Sequence, residues 1–221
     1  MQFMLYLLSK GQHNRIFKRG GMAHTLAHPQ LNIRVLCSEE ESPEYREALL
    51  QAEEIPAGCV ELVTPGYPRA FPARAAAGNY ALNHARLTGV DVICIIKDDF
   101  TFYRYAGFGR SRLKTADIFW TRDAIQDLAE EMLCKSIAMG GIPYRQSAAL
   151  LVKQCPDYVS HPWPTGALFF NLRSASNLSW QEDRASGEDL DIWRANLGAG
   201  NRNIITTRLF LARTAKARKG L

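Results

Sequence analysis

Two pairs of adjacent carboxylates, Asp98-Asp99 and Glu188-Asp189, are the residues of this 221-residue chain whose types and spacing suit chemistry most directly. Neighbouring carboxylates repel, so keeping both ionised is costly unless a cation compensates. A hard divalent cation held by one such pair can bridge two phosphate groups and stabilise a departing diphosphate. An acid of the second pair, 90 positions further on, can then take the proton of an attacking hydroxyl. Each pair also has a plainer alternative. Asp favours turns, so the first suits a solvated turn; acids at a helix start suit the helix dipole, so the second suits ordinary capping chemistry.

The first pair closes the run Val92-Ile93-Cys94-Ile95-Ile96-Lys97. Its apolar residues are too few for an ordinary helix and read as a strand buried on both faces, at the centre of a parallel sheet. Ligands of open α/β sheets bind outside the carboxyl ends of the strands, which is where Asp98 and Asp99 fall. Upstream, the pattern predicts a strand from Phe3 to Leu8, a short helix and loop from Gln12 to His28, and a strand from Asn32 to Cys37. A helix follows from Ser42 to about Ala52, with Ser42 as N-cap and Pro43 at the first helical position. Then come a strand from Cys59 to Val63 and an alanine-rich helix from Pro72 to Arg86. This alternation predicts an α/β fold with a mostly parallel central sheet flanked by helices.

Downstream, Thr101 to Lys114 reads as a loop or irregular strand and Thr121 to Met139 as a helix. Ala148 to Lys153 and Ala167 to Asn171 read as strands, Leu190 to Asn196 as a short helix, and Ile204 to Leu211 as a last apolar segment. No linker divides the chain, so a single domain is expected over residues 1–221.

Several activities are disfavoured. The P-loop pattern, the dinucleotide fingerprint after the first strand, the G-x-S-x-G elbow and H-E-x-x-H are all missing from the sequence. No apolar run approaches the roughly 20 residues that span a bilayer, so no membrane partner is expected. The 5 cysteines are widely spaced without a C-x-x-C, which argues for a reducing cytoplasm and against a disulfide framework or structural zinc. The net charge of +5 belongs to the C-terminal tail: residues 201–221 carry Arg202, Arg208, Arg213, Lys216, Arg218 and Lys219 and no acid. A polyanionic partner or a solvated terminus accounts for it.

Taken together, Leu7-Leu8-Ser9-Lys10-Gly11, the helix Arg74 to Arg86, Ile95-Ile96-Lys97-Asp98-Asp99-Phe100, Gly166 to Asn171 and Gly187-Glu188-Asp189-Leu190-Asp191 resemble the glycosyltransferases of the GT-A fold. The acid pair stands at the place of the family's D-x-D motif, with Lys97 where its first Asp is usual, and Glu188-Asp189 at the place of its x-E-D motif. The resemblance implies a Rossmann-like nucleotide-sugar-binding half, 1–100, and an acceptor half, 101–221. It implies Mn²⁺ or Mg²⁺ on Asp99, with Asp98 as a supporting ligand or ribose contact, and Asp189, beside Glu188, as the base of an inverting transfer. Donor contacts, with a UDP-sugar favoured, fall to Ser9, Lys10 and Arg15 beyond the first strand and to Arg74 and Asn79 on the third helix.

More narrowly, the Ser-Lys-Gly opening, the stretch Phe100-Thr101-Phe102-Tyr103-Arg104 after the acids and the late Glu-Asp are similar to the phage TET-associated glycosyltransferases. That resemblance implies 5-hydroxymethylpyrimidine DNA as acceptor and the host cytoplasm as location. Phosphate contacts would come from Arg104, Arg110, Arg112, Lys114, Arg213 and Lys216, and stacking from Tyr103, Tyr105 and Phe108. The alternatives are a sugar-phosphate nucleotidyltransferase, for which Lys10-Gly11 makes a poor phosphate loop, and a non-catalytic nucleic-acid-binding module, which Lys97 keeps open.

Overall fold

Val92 to Ile96 are all buried, and their side chains divide alternately between two apolar layers, as a strand inside a two-faced sheet requires. The computed structural model describes residues 1–29, 31–66, 74–106, 112–152, 157–160, 166–175, 177–181 and 188–214. In chain order the elements are β1 (Phe3–Leu8), α1 (His13–Ile16), α2 (Met22–Leu26), β2 (Asn32–Leu36), α3 (Ser42–Leu50), β3 (Val60–Val63), α4 (Arg74–Leu87), β4 (Val92–Lys97), β5 (Phe100–Ala106) and β6 (Arg112–Thr115). There follow α5 (Ile118–Cys134), β7 (Met139–Ile142), α6 (Ala148–Val152), β8 (Tyr158–Val159), β9 (Ala167–Asn171), α7 (Glu188–Gly198), β10 (Asn203–Thr206) and β11 (Phe210–Arg213).

The main sheet has the order β3-β2-β1-β4-β9-β7-β10-β8. β1 to β4, β7 and β10 run one way, while β9 and β8 run the other. On one face Leu5, Leu7, Ile33, Val35, Cys94 and Phe169 pack under α1, α2, α3 and α5. On the other, Tyr6, Ile93, Ile95, Leu168 and Phe170 meet the alanine stripe of α4 and Ile192 of α7. Gly78 lets α4 come this close: a Cβ there would stand 2.7 Å from the Trp180 ring. The molecule is thus a single α/β domain with a mostly parallel sheet between helices, and a small second sheet, β11-β5-β6, beside it.

Five local expectations are corrected. Ser42 lies inside α3, whose N-cap is Glu41. The segment after the acids is a β-hairpin, because Phe100 and Phe102 alternate into the core and leave Thr101 and Tyr103 on the other side. The helix foreseen over 121–139 starts earlier, where Asp117 accepts from the Trp120 N–H at 2.8 Å, and stops at Cys134. Met139-Gly140-Gly141-Ile142 then forms a buried strand whose glycines mask it, and Gly140 lies against Met132, whose Sδ a Cβ there would meet at 2.5 Å. Ala148 to Val152 is a helix, since Ala148 and Leu151 point inward while Leu150 is exposed. Finally, the last apolar segment divides into β10 and β11, which join different sheets.

Candidate functional site

β1 and β4 pair in register from Phe3 opposite Val92 to Leu8 opposite Lys97, so Ser9 and Asp98 leave the same sheet edge side by side. The Ser9 hydroxyl donates to Asp98 Oδ2. Tyr45, fully buried on α3, holds its hydroxyl 2.6 Å from Ser9 Oγ and accepts from the Gln12 N–H at 3.0 Å. Since Ser9 gives its proton to Asp98, Tyr45 must donate to Ser9, and the chain of donors runs Gln12 N–H, Tyr45, Ser9, Asp98. Burial raises the Asp98 pKa from 3.8 to about 6, with Asp99 adding repulsion, while hydrogen bonds from the Ser9 hydroxyl and the Lys10 backbone oppose the rise. Burial also pushes the Tyr45 phenol up to about 12, so it remains a donor at neutral pH.

Asp99 is arranged differently. Its Oδ2 stands 3.9 Å from Arg213 Nε, its carbonyl accepts from the Thr214 N–H at 2.6 Å, and its Oδ1 is buried without a hydrogen-bond partner. Such an oxygen is costly to leave unmatched. Both acids line a cavity of about 320 Å³ together with Gln12, Arg15, Lys18, Arg19 and Gly20-Gly21. That volume lies at the lower end of small-molecule sites. Arg15, Lys18 and Arg19 have no acidic partner among the described residues, so three unmatched cations share the cavity with two crowded anions. A second hollow of about 330 Å³ shares Arg19, Gly20, Met22, Phe100 and Thr101 with the first and continues to Thr115 and Ile118.

Among the described residues no group of three or more His, Cys, Asp or Glu side chains is placed to hold a metal ion. Two carboxylates still fit Mg²⁺ or Mn²⁺ here. A hard cation in a phosphate site takes one or two protein carboxylates and fills its shell with phosphate and water oxygens, and the unmatched Asp99 Oδ1 is an available ligand.

The second acid pair opens α7. β10 starts at Asn203, opposite Met139 at the start of β7, and therefore at the amino edge. α7 ends just before it, and Asn201 bonds back to the Asn196 carbonyl at 3.2 Å. The first turn of α7 carries half-buried Asp189. β9, antiparallel to β4, begins at the carboxyl edge.

The remaining candidates scatter. Ser9, Asp98 and Asp99 lie together, Lys10 adjoins them through its backbone, and Arg15 lines the cavity. Asn79 uses its amide on the Trp180 backbone, donating to its carbonyl at 2.9 Å and accepting from its N–H at 2.7 Å. Arg104 pairs with Asp117 at 3.2 Å and lies over the Trp120 ring. Arg112 and Lys114 are exposed, and their pairing opposite Ala106 and Arg104 puts them on one face of the small sheet. Tyr103 lies under Arg145 and Tyr105 against Phe210, so both rings are engaged in packing. Arg110, Lys216, Phe108 and the side chains of Arg74 and Glu188 lie outside the described residues. Sequence reasoning missed Tyr45, Lys18, Arg19 and Thr214. Only Tyr45 left a signal, since it shares an inward face with Ala48, Leu49 and Ala52, where a hydroxyl needs a partner.

The sequence matches no protein-family model and no curated protein. Solved structures do match over nearly the whole chain. A mannosyltransferase from Pyrobaculum calidifontis, in complex with GDP-Man and Mn²⁺, superposes with a TM-score of 0.64 at 13% identity over 99% of this chain and 58% of its own. S. aureus TarS 1-349 with UDP-GlcNAc gives 0.62 at 12% identity, over 100% of this chain and 60% of its own. GalNAc-T7 with UDP, GalNAc and Mn²⁺ gives 0.57 at 8% identity, over 98% and 44%. The chain thus spans less than two thirds of these proteins, and at such identities what it shares with these glycosyltransferases is the fold.

Proposed function

We propose that the chain is a GT-A-type glycosyltransferase that moves a sugar from a nucleotide-sugar, UDP-linked in the first instance, to an acceptor hydroxyl. The observation that carries this reading is the cavity at the carboxyl edge, which Asp98 and Asp99, with its unmatched oxygen, share with Arg15, Lys18 and Arg19. Asp99, supported by Asp98, would hold Mg²⁺ or Mn²⁺, which supplies charge neutralisation for the diphosphate when bound. The donor chain from Gln12 through Tyr45 and Ser9 orients Asp98, and Lys10 and the three cations bind the phosphate oxygens. Asp189, beside Glu188, takes the proton of the acceptor hydroxyl. The acceptor oxygen then bonds to the anomeric carbon as the bond from that carbon to the diphosphate breaks, and the nucleoside diphosphate leaves with the bonding pair. A single displacement of this kind inverts the anomeric centre. Asn79 and Arg74 support the donor side through α4.

For the acceptor, 5-hydroxymethylpyrimidine DNA is favoured by exposed Arg112 and Lys114 on one face of the small sheet. Arg104, Arg110 and Lys216 would extend this basic surface. The test is sugar transfer from UDP- and GDP-sugars to DNA with and without hydroxymethylated bases, in Mn²⁺. Asp99→Ala and Asp189→Asn are each expected to lower transfer at least 100-fold, in line with loss of charge stabilisation or of a general base. Transfer that survives both substitutions rules out the mechanism; transfer only to acceptors other than DNA rules out the acceptor.

A further inference from the structure

The last described strand ends on the acid pair. β11 pairs antiparallel with β5 so that Arg213 stands opposite Phe100. One residue on, the Thr214 N–H donates to the Asp99 carbonyl at 2.6 Å, and the Thr214 and Thr101 hydroxyls meet at 3.2 Å. Strand pairing, rather than any contact of its own side chain, therefore fixes where Arg213 sits. From there its guanidinium reaches Asp99 Oδ2 at 3.9 Å, while Oδ1 keeps no partner. The pair is long and the Arg213 side chain is 66% exposed, so the interaction is weak and the guanidinium is free to turn on a fixed backbone.

A divalent cation held by Asp99 would change the balance of charge, because its two positive charges would compete with the guanidinium for the carboxylate. The anion next at hand would be the diphosphate of the donor, and a guanidinium's planar donors match phosphate oxygens two at a time. We infer that Arg213 competes with the divalent cation for Asp99 and, once displaced, binds the diphosphate of the donor. It is thereby a binding residue for the leaving group, delivered by the C-terminal strand, and not primarily a DNA contact. This role rests on the glycosyl-transfer reading.

The two halves of the role have opposite signs, which makes them testable without turnover. Free Mn²⁺ is followed by its electron paramagnetic resonance signal as it is titrated into wild-type protein, Arg213→Ala, Arg213→Gln and Arg213→Lys. UDP and GDP are then titrated at saturating Mn²⁺ by calorimetry. Removing the guanidinium should tighten Mn²⁺ alone about threefold, the scale of an exposed ion pair. It should weaken the Mn²⁺-dependent nucleotide affinity about tenfold, the scale of a charge-assisted hydrogen bond. Arg213→Lys, which keeps the charge but not the planar fork, should match wild type toward Mn²⁺ and recover only part of the nucleotide affinity. Weakening of both ligands in the Ala and Gln variants marks a merely structural strand end and overturns the inference, as does no change in either. Wild-type protein that takes up Mn²⁺ but neither nucleotide overturns the transfer reading along with it. Wild-type protein that binds both, with unaltered variants, overturns only the role of Arg213.

Discussion

Replacing Asp98 with Asn should stabilise the protein at neutral pH and leave its stability unchanged in strong acid. Asp98 is buried and stands beside Asp99, so its pKa rises from 3.8 to about 6 on folding. A group whose pKa is raised by folding favours the folded state below its unfolded pKa. It loses that contribution as pH climbs through the folded value. At pH 7.5 the folded protein therefore carries an ionised Asp98 at a cost of about 2–3 kcal/mol, from roughly 1.4 kcal/mol per pKa unit over two units. Asn has the shape and neutrality of the protonated acid and still accepts from Ser9, so it removes the cost without opening a cavity.

For a domain of this size about 1 kcal/mol corresponds to roughly 2–4 °C, and Asp98→Asn should raise the Tm by roughly 5–10 °C at pH 7.5. The measurement is thermal unfolding of both proteins by circular dichroism from pH 4.5 to 8, in chelator and without nucleotide. Groups remote from Asp98 titrate alike in both proteins and cancel in the difference. That difference should be about 1 kcal/mol at pH 4.5, where the unfolded carboxyl is already mostly ionised, grow through pH 6 and level off above pH 7. With saturating Mn²⁺ and nucleotide it should shrink or reverse, because only the carboxylate is stabilised by the cation. A difference that is constant across the pH range, or an Asp98→Asn protein less stable at pH 7.5, refutes the reasoning.

Two further substitutions probe the scaffold of the site. Tyr45→Phe removes the hydroxyl that accepts from Gln12 and donates to Ser9; leaving these groups unmatched should cost about 1–3 kcal/mol, read as a lower urea midpoint with an unchanged slope. Gly78→Ala improves helix propensity by about 1 kcal/mol. The new methyl would nevertheless stand 2.7 Å from the rigid Trp180 ring, and overpacking of about 1–3 kcal/mol should dominate, giving a lower Tm and altered tryptophan fluorescence; a Tm at or above wild type refutes it.

How far the sequence could be read depends on whether a feature is written in neighbouring residues. β4 and its terminal acids were legible because burial on both faces demands an unbroken apolar run, and the first α/β units because helix and strand periods differ. Ala148 to Val152 misled because a short apolar run satisfies both periods, and only the exposure of Leu150 separates them. Met139 to Ile142 misled because Gly140 lies against Met132 on α5, a contact no local pattern records. The same limit applies to the site. Ser9 and Asp98 could be suspected at strand ends, but the strand register alone brings them together. Tyr45, 36 residues from Ser9, enters through helix packing. Arg213 looked like one charge in a basic tail, whereas the pairing of β11 with β5 sets it against Asp99. The acids of this site are therefore local facts of sequence and their cations are facts of topology, so a composition-based reading assigns the tail's charge to a distant polyanion when at least one of its arginines is held at the acid pair.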